Sequence, residues 1–342
     1  YLHPRSQKVL FSTLSRISEN NQVVVTTHSP LFFAPGATAS FVRVAKINAD
    51  PKPEARLYPI NVSLDPDNAE VFRLARFENA DAAFFSRRVV LFEGESDDAY
   101  CRHVARAINP HWCFDTHSIS MVRVSGKGNF GKFRRFFEAF GIEVKLVADL
   151  DALFDGYQHL SPPQELVEMR AAAIAHIDGR IAELGIRAEP ATRQIRDKVH
   201  SASWRERYGL AKQALEQVRE TNEVTLETAA LFESLFTWEE EIARVKACRE
   251  DEVSRAALTP LLDGLRDAGI CVLSRGAIED YYPVGAENGS KPQRALAAIE
   301  LIAGPADIAI ISLPLAPARD GELHEIFSEL FRGIADPQQL AV

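Results

Sequence analysis

Carboxylates that follow short apolar runs are the residues with the most chemistry to offer. Val89-Val90-Leu91-Phe92 leads into Glu93-Gly94-Glu95-Ser96-Asp97-Asp98, and Val144–Ala148 leads into Asp149-Leu150-Asp151. Gly269–Leu273 leads into Ser274-Arg275-Gly276-Ala277-Ile278-Glu279. Asp149 and Asp151 stand at period-two spacing, which points both side chains to one side of an extended chain. Two carboxylates so close repel unless a proton or cation intervenes, and hard divalent ions such as Mg²⁺ or Mn²⁺ take oxygen ligands. Glu93, Asp97, Asp149, Asp151 and Glu279 together could share two ions about 4 Å apart, an arrangement that displaces phosphodiester oxygens. Singly, each acid has a plainer role. Asp97 and Glu279 suit the positive end of a helix, and an Asp pair is common in a solvated strand-end loop.

Basic residues cluster near the same motifs. Lys127, Lys132, Arg134 and Arg135 surround the turn Ser125-Gly126-Lys127-Gly128-Asn129. Backbone N–H groups of such a turn at a helix start can receive a phosphate, and the cations are candidate DNA phosphate contacts or a solvated helix face. The turn lacks the GxxxxGK[ST] and GxGxxG patterns of nucleotide loops. Lys291, after Gly289-Ser290, is either a cation that stabilises transition-state charge or an ordinary surface lysine.

The elements that must position these residues can be read from periodicity. Ser6–Glu19 has helical spacing, Gln22–Thr27 is a β-branched run, and Phe41–Ile47 with Ala55–Ile60 alternates as two short strands. Asp65–Ser86 reads as helix. Strands at Val89–Phe92, Ile119–Val124, Val144–Ala148 and Gly269–Leu273 alternate with helices at Ser96–Ile108 and Phe130–Phe140. That alternation predicts an α/β fold with a parallel sheet and crossover helices, with function at the carboxyl ends of the strands. Glu165–Leu184, Ala191–Val218 and Leu226–Gly264 read as helices without strand-like runs, hence a separate helical domain inserted between two strands.

Composition bounds the rest. The 342 residues are 46% hydrophobic and 25% charged, which excludes a disordered tail, a collagen-like fibre and a disulfide-stapled miniprotein. A formal charge of -9 means that DNA binding would need a local basic surface or bound cations. The four cysteines, Cys101, Cys113, Cys248 and Cys271, lack CxxC spacing and read as reduced core thiols of a cytoplasmic protein. No apolar run approaches a membrane span, and no signal peptide is expected. The chain opens without Met, at Tyr1-Leu2-His3-Pro4, so a piece of a longer protein is expected.

Glu93 with Ser96-Asp97, followed by Asp149-x-Asp151 after another strand, resembles the Toprim domain of topoisomerases, primases and the OLD (overcoming lysogenization defect) nucleases. Leu2-His3-Pro4 and Val23-Val24-Val25-Thr26-Thr27-His28-Ser29-Pro30 are similar to the end of an ABC-type ATPase, where the histidine senses the γ-phosphate. An ABC ATPase joined directly to Toprim is the OLD arrangement. The resemblance implies an ATPase remnant and connector over 1–86, Toprim parts over 87–155 and 266–342, and a helical insertion over 156–265. It makes Glu93, Asp97, Asp149, Asp151 and Glu279 the metal ligands and Lys291 a weaker catalytic match. The implied cofactor is Mg²⁺ or Mn²⁺, two ions, with Ca²⁺ as a non-productive or supporting ion. Walker A, the ABC signature and Walker B are missing, so no ATP site is expected in these residues.

The implied function is a metal-dependent DNA endonuclease or nickase, the catalytic part of an ATPase-coupled nuclease. Its partners would be DNA, its own N-terminal ATPase domain and a second copy in a homodimer, with no membrane. The alternative is a catalytically degenerate Toprim module for DNA binding or dimerisation. A haloacid-dehalogenase phosphatase fits poorly, because Ala152-Leu153 stand where that family has Thr and the DxD follows the third strand.

Overall fold

The structure, a computed structural model, describes residues 2–32, 41–47, 52, 54–60, 80–94 and 97–334. Helix α1, Pro4–Ser18, begins on a proline, whose missing N–H costs nothing there. The β-branched run Gln22–Thr27 pairs with no strand among the described residues, and Val24 and Val25 are exposed. The expected strand is therefore corrected to extended chain, since a ladder requires a neighbour to take its N–H and C=O groups. Phe41–Ile47 (β1) and Glu54–Ile60 (β2) form the expected pair, antiparallel with Phe41 opposite Ile60. Arg43 on β1 donates to the carbonyls of Phe84, Ser86, Phe140 and Gly141, tying this hairpin to the main sheet. The helix expected over Asp65–Ser86 lies largely outside the described residues; Ala80–Phe85 is a 3₁₀ turn.

The main sheet begins with β3 (Arg88–Phe92) and continues through α2 (Asp97–Ile108), β4 (Ile119–Arg123), α3 (Phe130–Ala139) and β5 (Glu143–Ala148). Seven helices follow: α4 (Leu166–Leu184), α5 (Thr192–Val199), α6 (Ala202–Thr221), α7 (Leu226–Glu233), α8 (Thr237–Glu250), α9 (Glu252–Ala257) and α10 (Thr259–Asp267). The chain then returns to β6 (Ile270–Val272) and ends in α11 (Lys291–Leu301), α12 (Pro305–Ile311) and α13 (Glu322–Phe331). Strand order is β4-β3-β5-β6 with every neighbouring pair parallel, so all four carboxyl ends lie on one edge. The protein is thus a mixed α/β fold with a parallel sheet and a helical region. The long helices read from periodicity break where capping chemistry intervenes: Ser201 accepts from Trp204 N, Asp251 accepts from Ser254 N, and Pro260 opens α10.

Both sheet faces are covered, which is why β3 is buried throughout and carries no polar alternation in Val89–Phe92. Val89 and Leu91 pack with Phe130, Phe133, Phe136 and Phe137 of α3; Val90 faces Tyr100, Val104 and Phe327 on the other side. The first of these cores also includes Leu166, Ile177, Cys248, Leu258, Leu261, Leu262 and Leu265 from the inserted helices. Helices α4, α8 and α10 of the insertion thus contribute apolar side chains to the core of the sheet. Leu262→Ala, at a side chain 2% exposed, is expected to cost about 2–5 kcal/mol. Calorimetry should show one melting transition moving down as a unit; a split melt with an unmoved component would mean that insertion and sheet unfold separately.

The edge opposite the carboxyl ends is fixed by Arg88. Its guanidinium donates to Glu143 Oε2 at 2.6 Å, to Arg332 O at 2.8 Å and to Leu330 O, closing the start of β3 against β5 and the end of α13. No helix among the described residues is long and apolar enough to cross a membrane.

Candidate metal centre

Each acid owes its position to a strand end. Glu93 follows the last residue of β3, and its Oε1 is buried without a hydrogen-bond partner among the described residues. Asp97 opens α2, is 8% exposed, and its Oδ2 accepts from Gly94 N at 2.9 Å. A Cβ on residue 94 would stand 2.3 Å from Asp97 Oδ1, so only glycine lets the chain turn this tightly around that carboxylate. Ser96, part of the sequence motif, lies outside the described residues.

Asp149 extends β5 by one residue in extended geometry, and Leu150–Leu153 then closes into a 3₁₀ turn. Period two therefore stops at Asp149, and Asp151 is set by the turn instead. Leu150 N donates to Gly276 O at 2.8 Å, joining the Asp149-x-Asp151 turn to the loop after β6. That loop carries Glu279 in the 3₁₀ turn Ile278–Tyr281, where Glu279 Oε1 meets Lys291 Nζ at 2.6 Å. Gly276, at φ +139°, leaves the space taken by Asp280 Oδ2 and the Arg249 guanidinium.

Electrostatics tie the acids together. Burial, then the charges of Asp151, Asp97, Glu93 and Glu279, raises the Asp149 carboxyl well above its ordinary range. Burial foremost, with Asp151 and Asp97 adding and Lys127 and Lys291 opposing, raises Glu93 to about 7. Asp97 rises to about 6 because burial and Glu279 outweigh the Gly94 N–H, Lys291 and Arg123. Five acids from three neighbouring strand ends thus act on one another. Three cations accompany them: Lys291 on Glu279, Lys127 on Asp151, and Arg123 in the field of Asp97.

Among the described residues no three acids, His or Cys already stand as a metal-ligand set. Lysines engage two of the carboxylates, and the Gly94 N–H engages a third. The chemistry of the donors nevertheless fits a hard divalent cation: they are all carboxylate oxygens, one is an orphan buried atom, and their crowding disfavours full ionisation without a counter-charge.

Raised carboxyls have a consequence for stability. Folded Glu93 and Asp97 bind protons more tightly than the unfolded chain does, from ordinary carboxylate values up to about 7 and about 6. Across that window the native state holds more protons, so stability falls as pH rises. Asp251, held well below the ordinary range by Arg180 and Ser254, gives the opposite slope only in more acid solution. Thermal melts in chelator should therefore decline from about pH 4.5 to 7, and Glu93→Gln should flatten the decline. A melt that rises steadily across this interval would remove the crowding argument.

Sequence reasoning placed Lys127 among the phosphate contacts, but its Nζ lies 3.1 Å from both Asp151 Oδ2 and Asp155 Oδ2. The 3₁₀ turn Lys127–Asn129 turns this side chain towards the acids. Arg134 pairs with Glu138 at 2.9 Å, Arg135 is exposed, and Lys132 is half-buried. Several residues escaped the sequence reading. Asp155 and Arg123 adjoin the motifs, at four residues from Asp151 and at the end of β4. Glu241 and Arg249, from the insertion, have no local signal. Glu241 senses Asp155 and Lys127, and Arg249 pairs with Asp280 at 2.6 Å. A buried bracket supports the Glu279 turn from behind: Glu322 accepts from Ser274 N, Ser274 Oγ and the Tyr281 hydroxyl at 2.6, 2.8 and 2.6 Å. Tyr100 on α2 donates to Tyr281 O at 2.7 Å and so connects the Asp97 helix to the same turn.

A parallel sheet with acids at adjacent carboxyl ends is the plan of a Toprim domain. Residues 84–151 match the family described as "Overcoming lysogenization defect protein-like, TOPRIM domain", and the chain carries an OLD-type Toprim domain there. It is also similar to the Old nuclease of Escherichia phage P2, 28% identical over 158 residues, or 45% of this chain and 26% of that protein. The chain spans about a quarter of the length of this curated relative.

Proposed function

We propose that the protein is a metal-dependent DNA nuclease, with Glu93, Asp97, Asp149, Asp151 and Glu279 as ligands of two divalent ions, Mg²⁺ or Mn²⁺. The observation that carries this reading is the placement of five carboxylates at the carboxyl ends of three neighbouring parallel strands, with Glu93 Oε1 buried and unpartnered among the described residues. When bound, the ions would activate water and stabilise charge on the departing oxygen of a phosphodiester. The chain's own residues do the rest. Glu93 and Asp97 fix one wall of the site through the Gly94 turn, and the Asp149-x-Asp151 turn forms the other. Lys291 neutralises Glu279 at rest and supplies a cation to the scissile phosphate. Lys132 and Arg135 offer further phosphate contacts. No side-chain nucleophile is required.

The similarity to an Old nuclease supports the substrate class, and the N-terminal His28 segment suits the end of an ATPase domain that would govern cutting in a longer protein. The competing reading, a degenerate Toprim module that binds DNA or dimerises, draws on one observation: lysines already neutralise Asp151 and Glu279. Supercoiled plasmid incubated with Mg²⁺ or Mn²⁺, against a chelator control, separates the two. Nicked or linear product only with the ion is expected; folded protein that retains DNA without cutting it under either ion would favour the degenerate module.

A further inference from the structure

Lys127 is more deeply committed to the acids than a phosphate-binding lysine needs to be. Its Nζ sits 3.1 Å from Asp151 Oδ2 and 3.1 Å from Asp155 Oδ2, and its side chain is only 25% exposed. Its stem passes over Gly156, where a Cβ would stand 3.4 Å from Cδ, in a turn whose φ of +97° favours glycine. The ammonium thus bridges two carboxylates of the β5 turn, and its charge also acts on Glu93 and on the insertion's Glu241. An ammonium bridging two carboxylates does what a metal ion would do there: it neutralises them and holds them together.

We propose that Lys127 is a built-in counter-cation of the acid cluster that competes with a divalent ion for Asp151. One ion can then enter among Glu93, Asp97 and Asp149 without displacing a lysine, whereas an ion at Asp151 must displace Lys127. Once released from Asp151, the ammonium keeps Asp155 as a partner and can also meet a phosphate of bound DNA. Metal loading at Asp151 and DNA binding thereby favour each other. Asp155, which is not among the proposed ligands, serves to retain the displaced lysine near the site.

The inference rests on the metal-site reading above, and its test keeps the two apart. Mn²⁺ binding is measured by calorimetry and by electron paramagnetic resonance on the full chain without DNA, so that no cutting enters the readout. Wild type should bind Mn²⁺, and Asp149→Ala should weaken that binding; if neither holds, the metal-site reading fails and this inference with it. Given a functioning site, Lys127→Met should bind one further ion or bind its weakest ion about tenfold tighter, as expected for removing a like charge from the vicinity of a divalent cation. Lys127→Arg, which keeps the charge, and Lys212→Ala, on an exposed stretch of α6, should behave as wild type. Lys127→Gln gives the same reading should the Met variant fail to fold. Unchanged stoichiometry and affinity in the neutral variants would overturn the competition while leaving the site intact. Weakened binding would equally overturn it, making Lys127 a prop for the Asp151 turn.

Discussion

Replacing Asp149 and Asp151 together by Ala is expected to reduce DNA cutting to the level of chelator-treated protein, yet to raise the melting temperature of the metal-free protein. Loss of activity follows from removing the wall of the site formed by the β5 turn. Gain of stability follows from the crowding at Asp149, whose carboxyl burial and four neighbouring charges hold far from easy ionisation. The opposing loss is small. Asp151 is half exposed, and its ion pair with Lys127 belongs to the class worth about 0–1 kcal/mol. Melts at pH 8 in chelator, above the values of about 7 for Glu93 and about 6 for Asp97, read the stability arm. Single-turnover cutting of plasmid with saturating Mn²⁺ reads the other. A double variant that cuts at the wild-type rate would sink the assignment of these residues, and one that melts below wild type would show that repulsion at Asp149 is outweighed.

Lys291→Ala should lower the cutting rate roughly 100–1000-fold while leaving DNA affinity nearly unchanged. The phosphorane-like transition state carries one more negative charge than the ground state, and a cation that meets only that extra charge contributes to rate alone. The structure supplies the cation at the right edge. Lys291 begins α11 after the Ser290 cap and reaches Glu279 across 2.6 Å, while Asp149 and Asp97 also sense it. Its side chain remains 62% exposed, leaving it free to exchange Glu279 for a phosphate oxygen. Anisotropy for binding and quenched-flow for cutting separate the roles. An equal fall in affinity and rate would make Lys291 a steering charge, and no change in either would make it a surface lysine whose pairing with Glu279 is incidental.

Much of this arrangement is legible in the sequence because it is local. A buried parallel strand announces itself as a short apolar run, and the residue after it lands on the carboxyl edge whatever the remaining topology. Val89–Phe92 with Glu93, and Val144–Ala148 with Asp149, are of this kind. What escapes depends on distant segments. The Gln22–Thr27 run has the composition of a strand, but pairing is a property of two segments, and none of the described strands is its neighbour. Lys127 reads as basic and near a glycine turn, yet only the placement of Asp151 and Asp155 shows which way it faces. The bracket under the Glu279 turn joins Tyr281 to Glu322 across 41 residues, and nothing in Glu322 itself distinguishes it from a helix-start acid. Helix breaks at Ser201 and Asp251 were hidden because a 3.6-residue pattern continues through a capped junction without losing phase.

Helix α8 links two regions that otherwise share little. One end receives α6, through Trp204 Nε1 on Leu235 O and Arg207 on Ser234 O and Thr237 Oγ1. The other end grips the β6 loop, with Arg249 donating to Arg275 O and Asp280 Oδ2. The helix therefore fixes both the distance and the rotation between α6 and the Gly276–Asp280 segment. Lengthening α8 by one residue would rotate its far end by about 100° and carry Arg249 off its target, whereas a full-turn addition would restore the rotation but not the reach. The insertion is consequently constrained in helical phase as well as in composition, unlike a surface loop that can grow freely.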